Sequence, residues 1–205
     1  AGFRVAKRLK TDHDVVPISY GLVTYAAFYT HNPAPVADAL LASPAAALAC
    51  YPTPQGVCVR TLDGSALISY QDGRYRYAPD SGDPLQLNPI LENLRQQGRV
   101  AEDGFIEDRV LFDATQNHIY PDPLRRIWLA FHGLVQHPAD LIVCLHDGWY
   151  HGNASFDRLS GGAVSTHGSL NQINSTTFVL TMTGPLPPAL RLEEIMPALQ
   201  NHPAP

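Results

Sequence analysis

The side chain best placed for chemistry is His167, within residues 161–172, Gly-Gly-Ala-Val-Ser-Thr-His-Gly-Ser-Leu-Asn-Gln. Gly161-Gly162 leads into it, Gly168 follows directly, and Thr176 to Thr183 then reads as a buried strand. A His-Gly just before a core strand puts an imidazole on a loop at the strand's edge, where glycine lets backbone approach closely. An imidazole held there suits metal ligation or general-base work.

The same loop, residues 146–175, also carries His146, Asp147, His151 and Asp157. These residue types suit zinc or a similar metal. Their spacing is no metal signature, because there is neither a helical His-x-x-x-His nor a Cys-x-x-Cys. The plain alternative is that His146 and His151 are exposed loop histidines, that His167 bonds backbone, and that Asp147-Gly148 is a turn. Asp12-His13-Asp14 is a second polar cluster, either a joint ligand set or a surface turn. Ser169 stands near His167 but lacks the Gly-x-Ser-x-Gly elbow and its strand-turn-helix setting, so it does not read as a nucleophile. Nothing matches a P-loop or a dinucleotide fingerprint.

Elements must position these groups. Asp14 to Ile18 and Gly21 to Tyr29 are β-rich, and Pro35 to Leu41 reads as a short helix with Pro in its first turn. Val57 to Tyr77 holds three β runs separated by Asp63-Gly64 and Asp72-Gly73, the dipeptides of tight hairpins, so a three-stranded meander is expected over about 55–80. Pro89 to Gln97 reads as a helix ended by Gly98. Residues 99–122 read as mostly irregular. Asp122-Pro123 opens a helix, as cap and first-turn Pro, that runs to about Val135. Ala139 to Leu145 is a continuous apolar run whose length and branching predict a strand buried on both faces. Residues 146–175 show no apolar periodicity and read as one long loop, a length that is uncommon unless functional. Phe178 to Met182 reads as a further buried strand, and Leu192 to Leu199 as a final helix. The fold class expected is α/β, a mixed sheet flanked by helices, with the meander as a small lobe inserted in a single domain.

Composition bounds the function. The chain has 205 residues, 45% hydrophobic and 16% charged, with a net charge of −5. That is a globular composition without the basic excess needed to hold a phosphate backbone, so nucleic acid is not expected as the main partner. No apolar run approaches the ~20 residues of a membrane helix, so no membrane partner is expected. The N-terminal residues have no apolar core of a signal peptide and read like the inside of a longer protein. Cys50, Cys58 and Cys144 cannot all pair and sit among apolar or β-forming neighbours, so three buried free thiols are expected, with a Cys50–Cys58 bridge as the alternative. Unpaired thiols favour a soluble protein of a reducing, cytoplasmic compartment.

The stretch Ser165-Thr-His-Gly-Ser-Leu-Asn-Gln-Ile-Asn-Ser-Thr-Thr-Phe-Val-Leu-Thr-Met-Thr-Gly-Pro resembles the end of type I phosphodiesterase/nucleotide pyrophosphatase domains of the alkaline phosphatase superfamily. Those domains show a Thr, Tyr or Ser before His-Gly, then an Asn, then a buried strand closing on Gly-Pro. Tyr120-Pro-Asp-Pro-Leu-Arg-Arg-Ile-Trp and Ala139-Asp-Leu-Ile-Val-Cys-Leu-His-Asp-Gly-Trp look similar to bacterial members. Asp14-Val-Val-Pro-Ile-Ser-Tyr-Gly and Gly82-Asp-Pro-Leu resemble them more weakly. The resemblance touches most of the chain and is specific at the His-Gly segment. It implies an alkaline-phosphatase-like domain in which two metal ions, usually zinc, share Asp and His ligands while a Thr or Ser attacks phosphorus between them. It also implies that His167 is the last of the metal ligands. The family's other ligands and its nucleophile have no counterpart here. Asp14 stands where the family's Asp-His-Gly has Gly, so that role is not carried onto Asp12 and His13.

The expectation that follows is the C-terminal part of a metal-dependent phosphodiesterase or nucleotide pyrophosphatase. It would supply one metal ligand, His167, to a two-zinc site incomplete in this chain, and be inactive alone because zinc needs three or four protein ligands. The substrate of the parent would be a phosphate ester or nucleotide. A different reading is a non-catalytic binding or oligomerisation module, a homo-oligomer built through open strand edges at 140–145 and 178–182. A third is a self-contained metal site made of His146, His151, Asp157 and His167.

Overall fold

The computed structural model describes residues 2–18, 21–161, 166–182 and 184–200. The chain divides into two compact units, Ala1–Ser175 and Thr176–Pro205.

The first unit is built on nine strands: β1 (Arg4–Val5), β2 (Asp14–Pro17), β3 (Tyr25–Tyr29), β4 (Ala46–Thr53), β5 (Gly56–Arg60), β6 (Ser65–Gln71), β7 (Arg74–Ser81), β8 (Ile106–Glu107) and β9 (Leu141–Leu145). They form one mixed sheet in the order β1-β2-β3-β9-β4-β5-β6-β7-β8. Only β1 and β2 run parallel, and the other neighbours are antiparallel. Helices α1 (Pro33–Leu41), α2 (Asn88–Gln96), α3 (Asp108–Thr115) and α4 (Pro123–His132) cover the sheet, and a short α5 (Ala154–Ser160) follows β9. The α/β class with a mixed sheet and flanking helices is the architecture expected from the sequence.

The sheet divides two cores because successive side chains of a strand point to opposite faces. On β4, Leu48 and Cys50 join one core while Ala49 and Tyr51 join the other. The first core takes the apolar stripes of α2, α3 and α4, including Leu91, Leu111 and Ile127. The second takes Val36, Ala37 and Leu41 of α1. β9 pairs with β3 on one side and β4 on the other. Its Ile142 and Cys144 enter one core and its Leu141, Val143 and Leu145 the other, so it is buried on both faces, as its unbroken apolar run predicts.

The meander forms where the Asp-Gly dipeptides place it. Asp72 and Gly73, with φ of 48° and 79°, make the two-residue turn between β6 and β7. Left-handed values at both positions match the right-handed twist of the flanking strands. The three strands continue the main sheet through β4, a strand not foreseen from its alanine-rich sequence, so the meander belongs to the sheet rather than standing apart as a lobe.

Several expectations are corrected. Residues 99–122 contain β8 and α3, whose two turns bury only Leu111, Phe112 and Thr115, too short a stripe to read as periodicity. Asp122 precedes α4 in a left-handed conformation and its side chain does not cap the helix. The loop 146–175 holds α5 and a 3-10 turn over Gln172–Asn174. Capping chemistry marks α5, not apolar spacing: Asn153 accepts a hydrogen bond from the Ser155 amide at its start, and Gly161 is left-handed at its end. The open edge expected at 140–145 does not exist, because both edges of β9 are paired.

In the second unit, Thr176–Met182 forms no strand, and Phe178, Leu180 and Met182 are 78%, 86% and 101% exposed. An apolar run specifies a strand only where a neighbouring backbone offers a ladder. Thr183, the last residue of that expected strand, lies outside the described residues. The final helix forms as expected, a 3-10 turn over Leu192–Glu194 leading into α6 (Ile195–Gln200). Among the described residues no helix is long and apolar enough to cross a membrane.

Candidate functional site

The segment Thr166–Ser175 is fixed from three directions. Its first contact is with the chain entering β3. The Thr24 amide donates to the His167 carbonyl at 3.0 Å, the Thr166 hydroxyl donates to the Leu22 carbonyl, and the Ser169 amide donates to the Thr24 hydroxyl at 2.7 Å. Thr24 and Ser169 are both buried. Between these anchors Gly168 adopts φ of +119°, and a Cβ there would meet the ring carbons of Tyr25 at 2.8 Å. Glycine at 168 is required by conformation and by space.

Arg126 on α4 makes the second attachment. Its guanidinium donates to the Ser169 carbonyl and the Leu170 carbonyl, each at 3.0 Å, and to the Pro121 carbonyl at 3.1 Å. Burial pushes its pKa down. Arginine nevertheless stays charged at any ordinary pH, so these bonds are charge-assisted. The third attachment is polar and lies beyond β9. Asp147 accepts from the Asn171 amide group at 2.9 Å and from that of Asn174 at 3.4 Å. Asn174 also donates to the Ser169 hydroxyl at 3.1 Å. The Gln172 amide donates to the Ile119 carbonyl at 2.8 Å. Ser169 is 1% exposed and bound into this network, a structural position that agrees with its rejection as a nucleophile.

The outcome is an imidazole presented on a constrained backbone. His167 is exposed, and no hydrogen bond to its ring is found among the described residues. Gly162 to Ser165, part of the same motif, lie outside the described residues.

The other candidates go elsewhere. His146 is exposed and turns the chain through backbone bonds to Ala45 and Trp149. Asp147-Gly148 is the turn expected, with Gly148 at φ of 89°. His151 exchanges both backbone hydrogen bonds with Val23, and its ring lies 6.3 Å from that of Phe28. Burial lowers its pKa. Asp157 accepts the Tyr150 hydroxyl at 2.7 Å. His146, His151, Asp157 and His167 therefore do not converge, and among the described residues no three His, Cys, Asp or Glu side chains gather as a metal would need. Asp12-His13-Asp14 separates in the same way: Asp12 faces His31 at 3.3 Å, while Asp14 is fully buried and bonded to Arg4.

The cysteines are free. Cys50 lies opposite Val59 and Cys58 opposite Tyr51, so the two thiols point to opposite faces of the sheet and the alternative bridge cannot close.

Thr24 and Arg126 do the positioning, and neither stood out in the sequence. One signal was available for Arg126, a cation on a helix whose neighbours Leu124, Ile127 and Phe131 are all buried.

No family model, no curated protein and no solved structure matches this chain.

Proposed function

We propose that this chain is the C-terminal part of a metal-dependent phosphodiesterase or nucleotide pyrophosphatase-like hydrolase and that it supplies His167 as one metal ligand. The observation that carries the reading is the exposed imidazole of His167 on a backbone pinned at Thr166, His167 and Ser169. A ligand needs a fixed position and a free ring nitrogen, and neutral imidazole is a common zinc donor. The sequence resemblance of residues 165–185 supports the same role. In a two-metal centre His167 would hold one zinc ion, and the two metals would supply Lewis-acid stabilisation of phosphoryl charge. His167 is one donor where zinc needs three or four, so the remaining ligands must come from elsewhere in the natural polypeptide or from another chain.

The test compares the natural gene product, its His167→Gln variant and the 205-residue chain. Zinc content and turnover of bis-(p-nitrophenyl) phosphate are measured in each. The gene product is expected to hold zinc and turn over. His167→Gln is expected to cost 100-fold or more in turnover, at the upper end of the roughly 10–100-fold seen for groups that only support a ligand. The 205-residue chain alone is expected to be inactive. Zinc-dependent turnover by that chain, or an unaffected His167→Gln gene product, overturns the reading.

A non-catalytic interaction module is favoured by one separate observation, the exposed apolar run containing Phe178, Leu180 and Met182. Sedimentation of the chain across a concentration series tests it. A monomer throughout argues against self-association.

A further inference from the structure

Arg4, Lys7, Arg8 and Lys10 are all exposed at one end of the sheet, and with Ala6 they line a single concavity of about 380 Å³. The loop that carries them is held in shape. The Arg4 amide donates to the His13 carbonyl and the Ala6 amide to the Val15 carbonyl, each at 2.9 Å. Asp14, wholly buried at the start of β2, organises the interior of the loop. One of its oxygens accepts the amides of Lys10 and Thr11, each at 2.8 Å, and the other accepts Arg4 Nε at 2.5 Å. Asp14 thus neutralises Arg4. Lys7, Arg8 and Lys10 have no carboxylate partner among the described residues, and no carboxylate lines the concavity.

We propose that this loop binds a small phosphate-type oxyanion, seated in the concavity between Lys7, Arg8 and Lys10. Three unpaired cations on one short loop repel one another, and a multiply charged oxyanion removes that repulsion. A guanidinium matches a phosphate edge with two parallel hydrogen bonds, and the two ammonium groups add point charges. The volume lies at the low end of the roughly 300–1,000 Å³ of small-molecule sites, which suits a phosphate or pyrophosphate group. A long polyanion fits poorly. The rest of the chain carries ten Lys and Arg against nineteen carboxylates, and would repel an extended phosphate backbone. The proposal uses none of the residues assigned to the hydrolase reading and does not depend on it.

The test is calorimetric titration of the chain with inorganic pyrophosphate, with sulfate and a duplex DNA oligonucleotide as comparisons. Pyrophosphate is expected to bind more tightly than either, and to weaken about 10-fold between about 50 mM and about 300 mM salt through screening. Lys7→Gln, Arg8→Gln and Lys10→Gln are each expected to weaken binding about 3- to 10-fold, and the triple variant at least about 30-fold, since one solvent-exposed hydrogen bond is worth about that much. All three side chains are exposed, so thermal unfolding of the triple variant should match that of the parent. Pyrophosphate binding that survives the triple substitution overturns the proposal. So does sulfate binding as tightly as pyrophosphate, or DNA binding more tightly.

Discussion

Replacing Gly168 by alanine tests whether the His-Gly turn is held as described. Two costs arise from the structure. The backbone at φ of +119° lies where L side chains rarely go, and holding a residue in such a region costs about 1–3 kcal/mol. The new methyl would also sit 2.8 Å from two ring carbons of Tyr25. That is roughly 1 Å inside normal carbon–carbon contact, and overpacking of this kind costs about 1–3 kcal/mol. Relaxation is limited because the flanking bonds, His167 carbonyl to Thr24 amide and Ser169 amide to Thr24 hydroxyl, anchor both sides of the glycine. Rotating φ toward an allowed value breaks one of them, at about 1 kcal/mol. The expected loss is about 3 kcal/mol. With a urea slope of about 2–3 kcal/mol/M for a chain of this size, the unfolding midpoint should fall by roughly 1 M. Trp128 on α4 and Trp149 just beyond β9 report the transition by fluorescence. Repeating the substitution with Tyr25→Ala separates the two costs, because the steric part disappears and the backbone part stays. A Gly168→Ala chain within about 0.5 kcal/mol of the parent, the ordinary range for a surface substitution, would refute the reasoning. An unchanged cost in the Tyr25→Ala background would refute the steric half alone.

Three further outcomes follow from the same geometry. Arg126→Met keeps the aliphatic stem but removes the charged donor from the Pro121, Ser169 and Leu170 carbonyls, leaving the last two only the Ser175 hydroxyl, so a loss of about 2–4 kcal/mol is expected, together with faster amide exchange across 169–175. A loss under about 0.5 kcal/mol would show that the clamp is dispensable. Burial pushes the thiols of Cys50 and Cys144 up, Cys144 to about 11, and raises half-buried Cys58 as well. A disulfide reagent near neutral pH should therefore label the native chain slowly and reach all three thiols only in denaturant; rapid labelling of Cys144 without unfolding contradicts the packing. Burial also lowers the pKa of His151 below its ordinary value of about 6.5. The folded chain then binds that proton less readily than the unfolded chain does. The stability tied to neutral His151 is complete above the unfolded pKa and is lost as pH falls below it. Stability should decline from pH about 7.5 to about 5.5, and His151→Gln should flatten part of that slope; an identical slope in the variant means the ring is not desolvated.

Much of the fold could be read directly from the sequence, and the reasons are local. Asp72-Gly73 specifies its own turn because both residues tolerate left-handed backbone. The run Leu141–Leu145 announces a central strand because only a strand covered on both faces can be apolar at every position. Pro35 and Pro123 mark first turns of helices because their fixed φ suits that position, although α1 begins two residues earlier, at Pro33. Strand β4 and helix α3 escaped because alanine favours helix over strand and two helical turns carry too few apolar positions. The candidate site was legible only as a motif. The glycine beside His167 could be picked out, while the partners that hold it, Thr24 and Arg126, lie more than forty residues away in sequence.

By itself the sequence determined which residues punctuate the chain, that the run 141–145 is buried, and that His167 stands beside a glycine at a loop edge. Those properties follow from backbone sterics and side-chain hydrophobicity, which act over a few residues. Tertiary structure alone decided that Ser169 is structural, that Cys50 and Cys58 face apart, and that His146, His151, Asp157 and His167 do not converge. It also decided that 178–182 has no ladder among the described residues and that Asp14 shapes a cationic loop rather than a metal site. Each of these depends on which distant backbone donor, acceptor or charge is brought within about 3 Å, and spacing along one chain does not encode that.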